Sequence, residues 1–222
     1  MAEVKVLIVD DDALVRAGLR LILSSADDID LVGETDDGAH AVAAVRQHRP
    51  DVVLMDIRMP RMDGITATAA LRQLDRPPQV IVLTTFQADA HVLAALRAGA
   101  SGFLVKDTPP TDILAAIRLV AAGDAIVSPS VTRALLSHFA PSGASERHQG
   151  AAQRLEGLTE REREVASAVG DGASNAEIAA SLFMSEATVK AHVSRLLSKL
   201  DLTNRVQIAI LVHDAAQAEG RA

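Results

Sequence analysis

The chain has 222 residues, nearly half of them hydrophobic, and a formal net charge of -7 at pH 7. That length suffices for two modest domains, and no apolar run is long enough to span a bilayer, so no membrane partner is expected. The absence of cysteine excludes disulfides and thiolate metal sites, and the start lacks the pattern of a signal peptide, so a cytoplasmic location is expected.

Charge is distributed unevenly along the chain. Residues 1–124 carry 18 acidic and 12 basic side chains, whereas residues 187–206 carry four basic residues and one acid. Charge must therefore be considered segment by segment. The negative total does not exclude a surface for a polyanion around residues 187–206.

Residues 1–124 alternate short apolar runs with amphipathic helical patterns. The predicted strands are Val4–Val9, Leu31–Glu34, Val52–Met55, Val80–Leu83 and Gly102–Val105. The predicted helices are Ala13–Ser25, Gly38–His48, Ile65–Leu74, Ala90–Ala98 and Thr111–Ala121. Because each strand pattern is followed by a helix, the sequence predicts an α/β domain, a doubly wound five-stranded parallel sheet covered on both faces.

The pattern changes after residue 124. Residues 125–153 are predicted to be a linker that contains one helix, Ser130–Phe139, and an aperiodic stretch, Ala140–Gly150. Residues 154–222 show only helical patterns and predict a small all-α domain of four helices. Capping signals start these helices at Thr159, at Ser174, at Ser185 or Thr188, and at Thr203 or Asn204.

Charged and hydroxyl side chains follow four of the predicted strands. These residues are Asp10, Asp11, Asp12, Asp56, Thr84 and Lys106. The carboxyl ends of parallel strands lie at one edge of the sheet, so the side chains are expected to converge there. Asp12 is the exception, because it directly precedes a helix and is predicted to cap it.

Such a cluster has a specific chemical use. Close carboxylates repel one another unless a divalent cation occupies the site, and oxygen ligands at this density suit Mg²⁺. An aspartate nucleophile, a metal ion, an ammonium group and a hydroxyl together form a phosphoryl-transfer site that works by positioning and charge neutralisation.

These residues lie in a segment that resembles the receiver domain of response regulators, from Val4 to about Ala122. The motifs that carry the resemblance are Val9-Asp10-Asp11, Leu54-Met55-Asp56-Ile57-Arg58-Met59-Pro60, Asp63-Gly64, Leu83-Thr84-Thr85 and Gly102-Phe103-Leu104-Val105-Lys106. The resemblance implies a flavodoxin-like fold. Two positions differ from many receivers: Asp107 stands where a proline is common, and Phe103 where tyrosine is frequent.

The same resemblance implies a role for each site residue. Asp56 would be the phospho-acceptor. Asp11 and Asp56 would bind Mg²⁺ together with the carbonyl group of Arg58, and Asp10 would act through water. Lys106 and Thr84 would contact the phosphoryl group, with Thr84 coupled to the rotamer of Phe103.

The C-terminal half carries a second motif. Ile178, Ala179 and Leu182 share one helical face, and a longer apolar stripe follows from Val189 to Leu200. Two such stripes joined by Phe183–Ser185 predict a short helix, a tight turn and a longer helix. A helix with a buried stripe and a polar, basic outer face fits the major groove of DNA. The acids of 156–164 are predicted to lie away from that face.

Leu158–Val165, Gly172–Ala179 and Ser185–Val193 resemble the LuxR-type DNA-binding domain, and the whole chain resembles response regulators of the NarL/FixJ type. The match covers residues 158 to about 214 and implies a recognition helix, Ser185–Leu200, and a fourth helix, Arg205–His213, used for packing and dimer contacts. The implied base contacts are Lys190, Ala191 and Ser194, and some relatives carry a larger donor at the last position. The implied phosphate contacts are Thr188, His192, Arg195, Lys199 and Arg205.

The sequence thus predicts a transcription regulator, not an enzyme, that binds double-stranded DNA and is phosphorylated by a cognate sensor histidine kinase. Phosphorylation is expected to favour a homodimer. One alternative is a constitutive DNA binder whose receiver only dimerises. Another is a phosphohydrolase of the haloacid-dehalogenase type, but such enzymes need a carboxylate two residues after the nucleophile, where this chain has Arg58.

Overall fold

The computed structural model describes residues 3–84, 94–124, 150–151 and 153–219, and the chain divides into two compact units. The strands of the N-terminal unit are β1 (Val4–Val9), β2 (Ile29–Thr35), β3 (Val52–Asp56), β4 (Gln79–Thr84) and β5 (Gly102–Val105). Its helices are α1 (Ala13–Leu23), α2 (Gly38–His48), α3 (Gly64–Arg72) and α4 (Pro110–Ala121), and residues 94–97 are also helical.

The five strands form one parallel sheet in the order β2-β1-β3-β4-β5. Alternate residues of a strand point to opposite faces. Val6, Ile8 and Leu54 pack with Leu19 of α1 and Ile117 of α4 on one face. Helices α2 and α3 contact each other and cover the other face, where Leu7 and Met55 are fully buried. The predicted doubly wound sheet is confirmed.

Some strands and helices begin or end at residues other than those predicted, because hydrogen bonds set their ends. Strand β2 begins at Ile29 because that residue pairs with Val4. Helix α1 ends at Leu23 rather than Ser25, and the Ser24 and Ser25 hydroxyls donate to carbonyl groups of the last turn. The predicted helix Ser130–Phe139 lies outside the described residues. Residues 150–151 and 153–156 are helical, although the linker was predicted to extend to residue 153.

Besides the helical residues 150–151 and 153–156, the described part of the C-terminal unit contains the helices α5 (Glu160–Gly170), α6 (Asn175–Ser181), α7 (Glu186–Lys199) and α8 (Arg205–Glu219). Thr159 and Ser174 form complete capping boxes, and Ser185 rather than Thr188 caps α7. Asn204 accepts a hydrogen bond from the Gln207 amide at 2.9 Å, which makes it the cap of α8. The apolar stripe of α7 is buried against residues of α5, α6 and α8, and Ala151 joins the same core.

Phe183, in the turn between α6 and α7, has a φ of 55° and is 96% exposed. A bulky side chain is strained in this left-handed region, and here it gains no packing in return. We expect Phe183→Gly to raise the free energy of unfolding by about 1 kcal/mol, because glycine carries no Cβ. Urea unfolding of the full chain measures this effect. Phe183→Ala is the matched control, since it removes the ring but keeps the strained Cβ. Equal stabilities of the two variants would contradict the strain argument.

None of the described helices combines the length and the apolar character needed to cross a membrane.

Candidate functional site

The predicted site residues of the N-terminal unit meet at the carboxyl edge of the sheet. Asp10 directly follows β1, Asp56 is the last residue of β3, and Thr84 is the last residue of β4. Lys106 follows β5, and its backbone amide donates to the Thr84 carbonyl at 2.7 Å. Asp10, Asp56 and Thr84 are buried, at most 6% exposed.

Lys106 joins two of the three carboxylates. Its Nζ lies 2.7 Å from Asp10 Oδ2 and 3.0 Å from Asp56 Oδ1. Asp10, Asp11 and Asp56 each offer an oxygen within 4.8 Å of the others, and Asp11 is exposed. One ammonium group cannot neutralise three carboxylates, so the donor set leaves an excess of negative charge. Such an oxygen-rich, anionic cluster fits a hard divalent cation such as Mg²⁺.

Electrostatics inside the cluster favour a cation. Burial raises the pKa of Asp56 above its ordinary value, and the nearby Lys106 only partly offsets this effect. Burial alone would lower the pKa of Lys106, but its hydrogen bonds and charge interactions with Asp10 and Asp56 outweigh burial, and that pKa is raised. Lys106 is therefore a cation at neutral pH, whereas burial disfavours the charged form of Asp56.

Local interactions around the cluster set its geometry. The Asp12 side chain accepts the amides of Leu14 and Val15 and caps α1, as predicted. The amide of Asp12 donates to Asp10 Oδ1 at 2.9 Å. Gly64 begins α3 directly against β3, where a Cβ would overlap the Asp56 carbonyl oxygen. The Asp63-Gly64 motif thus serves as a cap followed by a residue that must lack a side chain.

Arg58 and Phe103 are the remaining predicted residues of this unit. Arg58 is exposed in the β3–α3 loop, residues 57–63, and lines the same shallow groove as Asp11. Phe103 is 1% exposed and therefore points into the domain. Its coupling to Thr84 stays a prediction.

Sequence reasoning missed two residues beside the site. Arg16 Nη1 donates to the Asp10 carbonyl at 2.7 Å, and its helical position gave no sign of that contact. Asp37 is 2% exposed and its carboxylate binds the β3–α3 loop. The Asp37-Gly38 pair before a helical pattern predicts an N-cap, but nothing in the sequence pattern indicates the loop as a second partner.

In the C-terminal unit, α7 presents most of the predicted DNA contacts. The exposed residues are Thr188, Lys190, Ala191, Ser194, Arg195 and Lys199. His192 is half-buried, and its Nδ1 atom is buried without a hydrogen-bond partner among the described residues. The exposed face of α7 is therefore polar and basic, opposite the buried stripe of Val189, Val193 and Leu196.

Two features of this unit depart from expectation. Lys199 Nζ lies 2.7 Å from Glu162 Oε2, so the expectation that the acids of 156–164 lie away from the recognition face is wrong for Glu162. Glu162 accepts a hydrogen bond from Lys199 and another from the Thr159 amide. These two bonds, the first more than the second, lower the pKa of Glu162 to about 2. Arg205 is 9% exposed, and its guanidinium donates to Asn175 Oδ1 at 2.6 Å and to the Ala173 carbonyl. The structure thus uses Arg205 inside the domain.

Comparisons with known proteins assign both units. Residues 6–118 match the response regulator receiver domain, and residues 156–212 match the bacterial regulatory proteins of the luxR family. Among similar proteins is the uncharacterized transcriptional regulatory protein YhcZ of Bacillus subtilis, 40% identical over 93% of this chain and 94% of its own length. Another is the transcriptional regulatory protein LiaR of the same organism, 37% identical over 95% of this chain and 97% of its own.

A solved structure gives the same assignment. The response regulator ChrA of a heme-sensing two-component system is 37% identical, with a TM-score of 0.54, and the match covers 99% of each chain. The two family matches lie on the two units that the structure separates. This chain therefore belongs to the two-component response regulators that act in transcription, with a receiver domain followed by a LuxR-type DNA-binding domain.

Proposed function

We propose that this response regulator is switched by Mg²⁺-dependent phosphorylation of Asp56. The observation that carries the proposal is the contact of Lys106 with both Asp10 and Asp56, beside the exposed carboxylate of Asp11. Receiver domains use Mg²⁺ at such an acidic pocket. Asp11, Asp56 and the carbonyl group of Arg58 would hold the ion, with Asp10 acting through water.

The chemistry follows from these positions. A carboxylate oxygen of Asp56 attacks the phosphorus atom of a phosphohistidine on the cognate sensor histidine kinase. The new P–O bond forms as the P–N bond breaks, and the histidine nitrogen keeps the electron pair of that bond. When bound, Mg²⁺ supplies positive charge against the phosphoryl oxygens and the carboxylates. Lys106 is already within reach of both aspartates and neutralises the charge that the phosphoryl group brings.

The signal then has to leave the site. We propose that the Thr84 hydroxyl group donates to a phosphoryl oxygen. Phe103 lies on the neighbouring strand β5, where it pairs with Val82 of β4. These side chains can report phosphorylation only through contacts that differ between the two states. We propose that the phosphorylated state favours a homodimer.

The output is binding to double-stranded DNA through α7. Lys190, Ala191 and Ser194 are proposed to contact bases. The proposed phosphate contacts are Thr188, His192, Arg195 and Lys199. Lys199 must leave its ion pair with Glu162 to bind a phosphate oxygen of DNA. Arg205 is left out of this face because its guanidinium is already bonded within the domain. Chromosomal DNA and the kinase would both be met in the cytoplasm.

The experiment couples modification to output. Intact mass is measured after incubation with Mg²⁺ and acetyl phosphate, and sedimentation and DNA binding are measured on the same sample. We expect one added phosphoryl group, a larger dimer fraction and roughly 5- to 150-fold tighter DNA binding, the usual range of allosteric coupling. A chain that gains the group but sediments and binds DNA unchanged would support the alternative, a constitutive binder. A chain that gains no phosphoryl group would contradict the proposal.

A further inference from the structure

Asp37 connects α2 to the β3–α3 loop through one buried carboxylate. Its Oδ1 accepts the Ala39 amide at 2.9 Å and the Met62 amide at 3.2 Å. Its Oδ2 accepts the Arg61 amide at 2.9 Å. The first bond caps a helix, but the other two reach 24 and 25 residues along the chain. Helix capping alone explains only one of the three bonds.

Gly38 brings the same loop close to α2. A Cβ on Gly38 would lie 2.5 Å from the Met62 carbonyl oxygen and 3.0 Å from the Ala67 Cβ. Real Cβ atoms do not approach a carbonyl oxygen so closely, so any side chain here must displace the loop or the helix. The Asp37 carboxylate thus binds the loop through its amides, and Gly38 leaves space for its carbonyl group.

The two ends of the loop are joined to each other beside β3. The Gly64 amide donates to the Ile57 carbonyl at 2.8 Å, and Gly64 packs against the Asp56 carbonyl. Arg58 lies between Ile57 and the Arg61–Met62 segment that Asp37 binds, on the groove that it shares with Asp11. The position of the Arg58 carbonyl therefore depends on two contacts, the bond between Ile57 and Gly64 and the bonds of Asp37 with the loop.

We propose that Asp37 is a positioning residue for the metal ion: through the Arg61 and Met62 amides it holds the β3–α3 loop where the Arg58 carbonyl completes the Mg²⁺ site. This inference rests on the proposed function, since it presupposes that the aspartate cluster binds the ion. The backbone amides of Ala39, Arg61 and Met62 lower the pKa of Asp37, so the carboxylate stays charged at neutral pH.

The test compares four variants of the full chain. Asp37→Asn keeps one acceptor oxygen and places an NH₂ group against the backbone amide donors. Gly38→Ala is expected to displace the loop without any change of charge. Asp36→Asn is the charge control, because it removes the same charge one residue earlier from an exposed side chain that lies 3.3 Å from His40 Nδ1. Asp51→Asn is the stability control: its carboxylate also accepts a distant amide, that of Lys5, but at the opposite end of the sheet.

The readout is the affinity for Mn²⁺ as a substitute for Mg²⁺, with the free ion counted by electron paramagnetic resonance. Residues that orient metal ligands typically contribute 10- to 100-fold to affinity. We expect about tenfold weaker binding for Asp37→Asn and Gly38→Ala than for either control. Affinities within twofold of the controls would overturn the inference. Failure of the wild type to bind Mn²⁺ would instead contradict the proposed function.

A measurement on the wild type serves if the variants do not fold. Coupling between sites is reciprocal, so a contact that favours metal binding must itself be stabilised by the metal. We expect hydrogen exchange of the Arg61 and Met62 amides to slow on addition of Mg²⁺, while the Lys5 amide stays unchanged. Exchange at Arg61 and Met62 that does not respond to saturating Mg²⁺ would overturn the inference.

Discussion

Asp56→Asn is expected to abolish phosphorylation of the chain under conditions in which the wild type gains one phosphoryl group. The asparagine amide has the size of the carboxylate but lacks its anionic oxygen nucleophile, and it removes one of the two carboxylates proposed to bind Mg²⁺ directly. Intact mass after incubation with Mg²⁺ and acetyl phosphate measures the effect. Asp12→Asn is the matched control, because it changes a carboxylate that caps α1 and should leave phosphorylation close to the wild-type level.

The same substitution should affect stability in a defined direction. Burial raises the pKa of Asp56, so the stability that this carboxyl contributes is present at low pH and is lost as pH rises through its folded-state pKa. Without a metal ion the charged carboxylate is thus unfavourable at neutral pH. We expect Asp56→Asn to unfold at a higher temperature than the wild type in a chelator.

Addition of Mg²⁺ should reverse that order, since an ion that binds only the folded state stabilises it. The wild type should gain unfolding temperature with Mg²⁺ and Asp56→Asn should gain much less. Phosphorylation of Asp56→Asn at wild-type stoichiometry would show that another residue is the acceptor. An equal response of the two proteins to Mg²⁺ would show that Asp56 is not a ligand.

Lys190→Ala is expected to cost roughly 1–3 kcal/mol of binding free energy on the cognate DNA site and to blur the preference at one base position per half-site. Lys190 lies in the first turns of α7, is exposed and has a donor long enough to reach a guanine edge. A selection from randomised sites with the wild type and the variant measures the preference. A variant that keeps the wild-type preference while its salt dependence flattens would make Lys190 a phosphate contact.

Lys199→Ala is the comparison for that experiment. It should weaken binding to all sequences alike and reduce the salt slope by roughly one unit for each DNA phosphate that is no longer neutralised. Glu162→Gln tests whether Glu162 competes with DNA for Lys199, because it removes the ion pair but keeps the Lys199 ammonium group. We expect Glu162→Gln to tighten binding to any duplex. If it has no effect while Lys199→Ala weakens binding, Lys199 contacts DNA without competition from Glu162.

Much of the fold follows from local pattern. Alternation of apolar runs with helical stretches predicted the sheet, and polar caps predicted helix starts at Thr159, Ser174 and Asp12. The aspartate cluster was also predictable, because the carboxyl ends of parallel strands meet at one edge of the sheet whatever the loops do. Strand β4 lies between β3 and β5, so the contact of Lys106 with Asp10 and Asp56 depends on the reach of its long side chain, which only the structure shows.

Other contacts were decided only by the tertiary structure. Lys199 and Glu162 are 37 residues apart, Arg205 and Asn175 are 30 apart, and Arg61 and Asp37 are 24 apart. In each pair, the local sequence already explained one of the two residues as a helix cap, an acid in the first turn of a helix or a surface cation, so nothing indicated the distant partner. A side chain that satisfies a local rule can still hold a distant partner, because a carboxylate accepts several hydrogen bonds at once. The sequence by itself determined the fold and which residues form the acidic cluster, whereas packing of the helices decided which charged side chains are already paired within the domain.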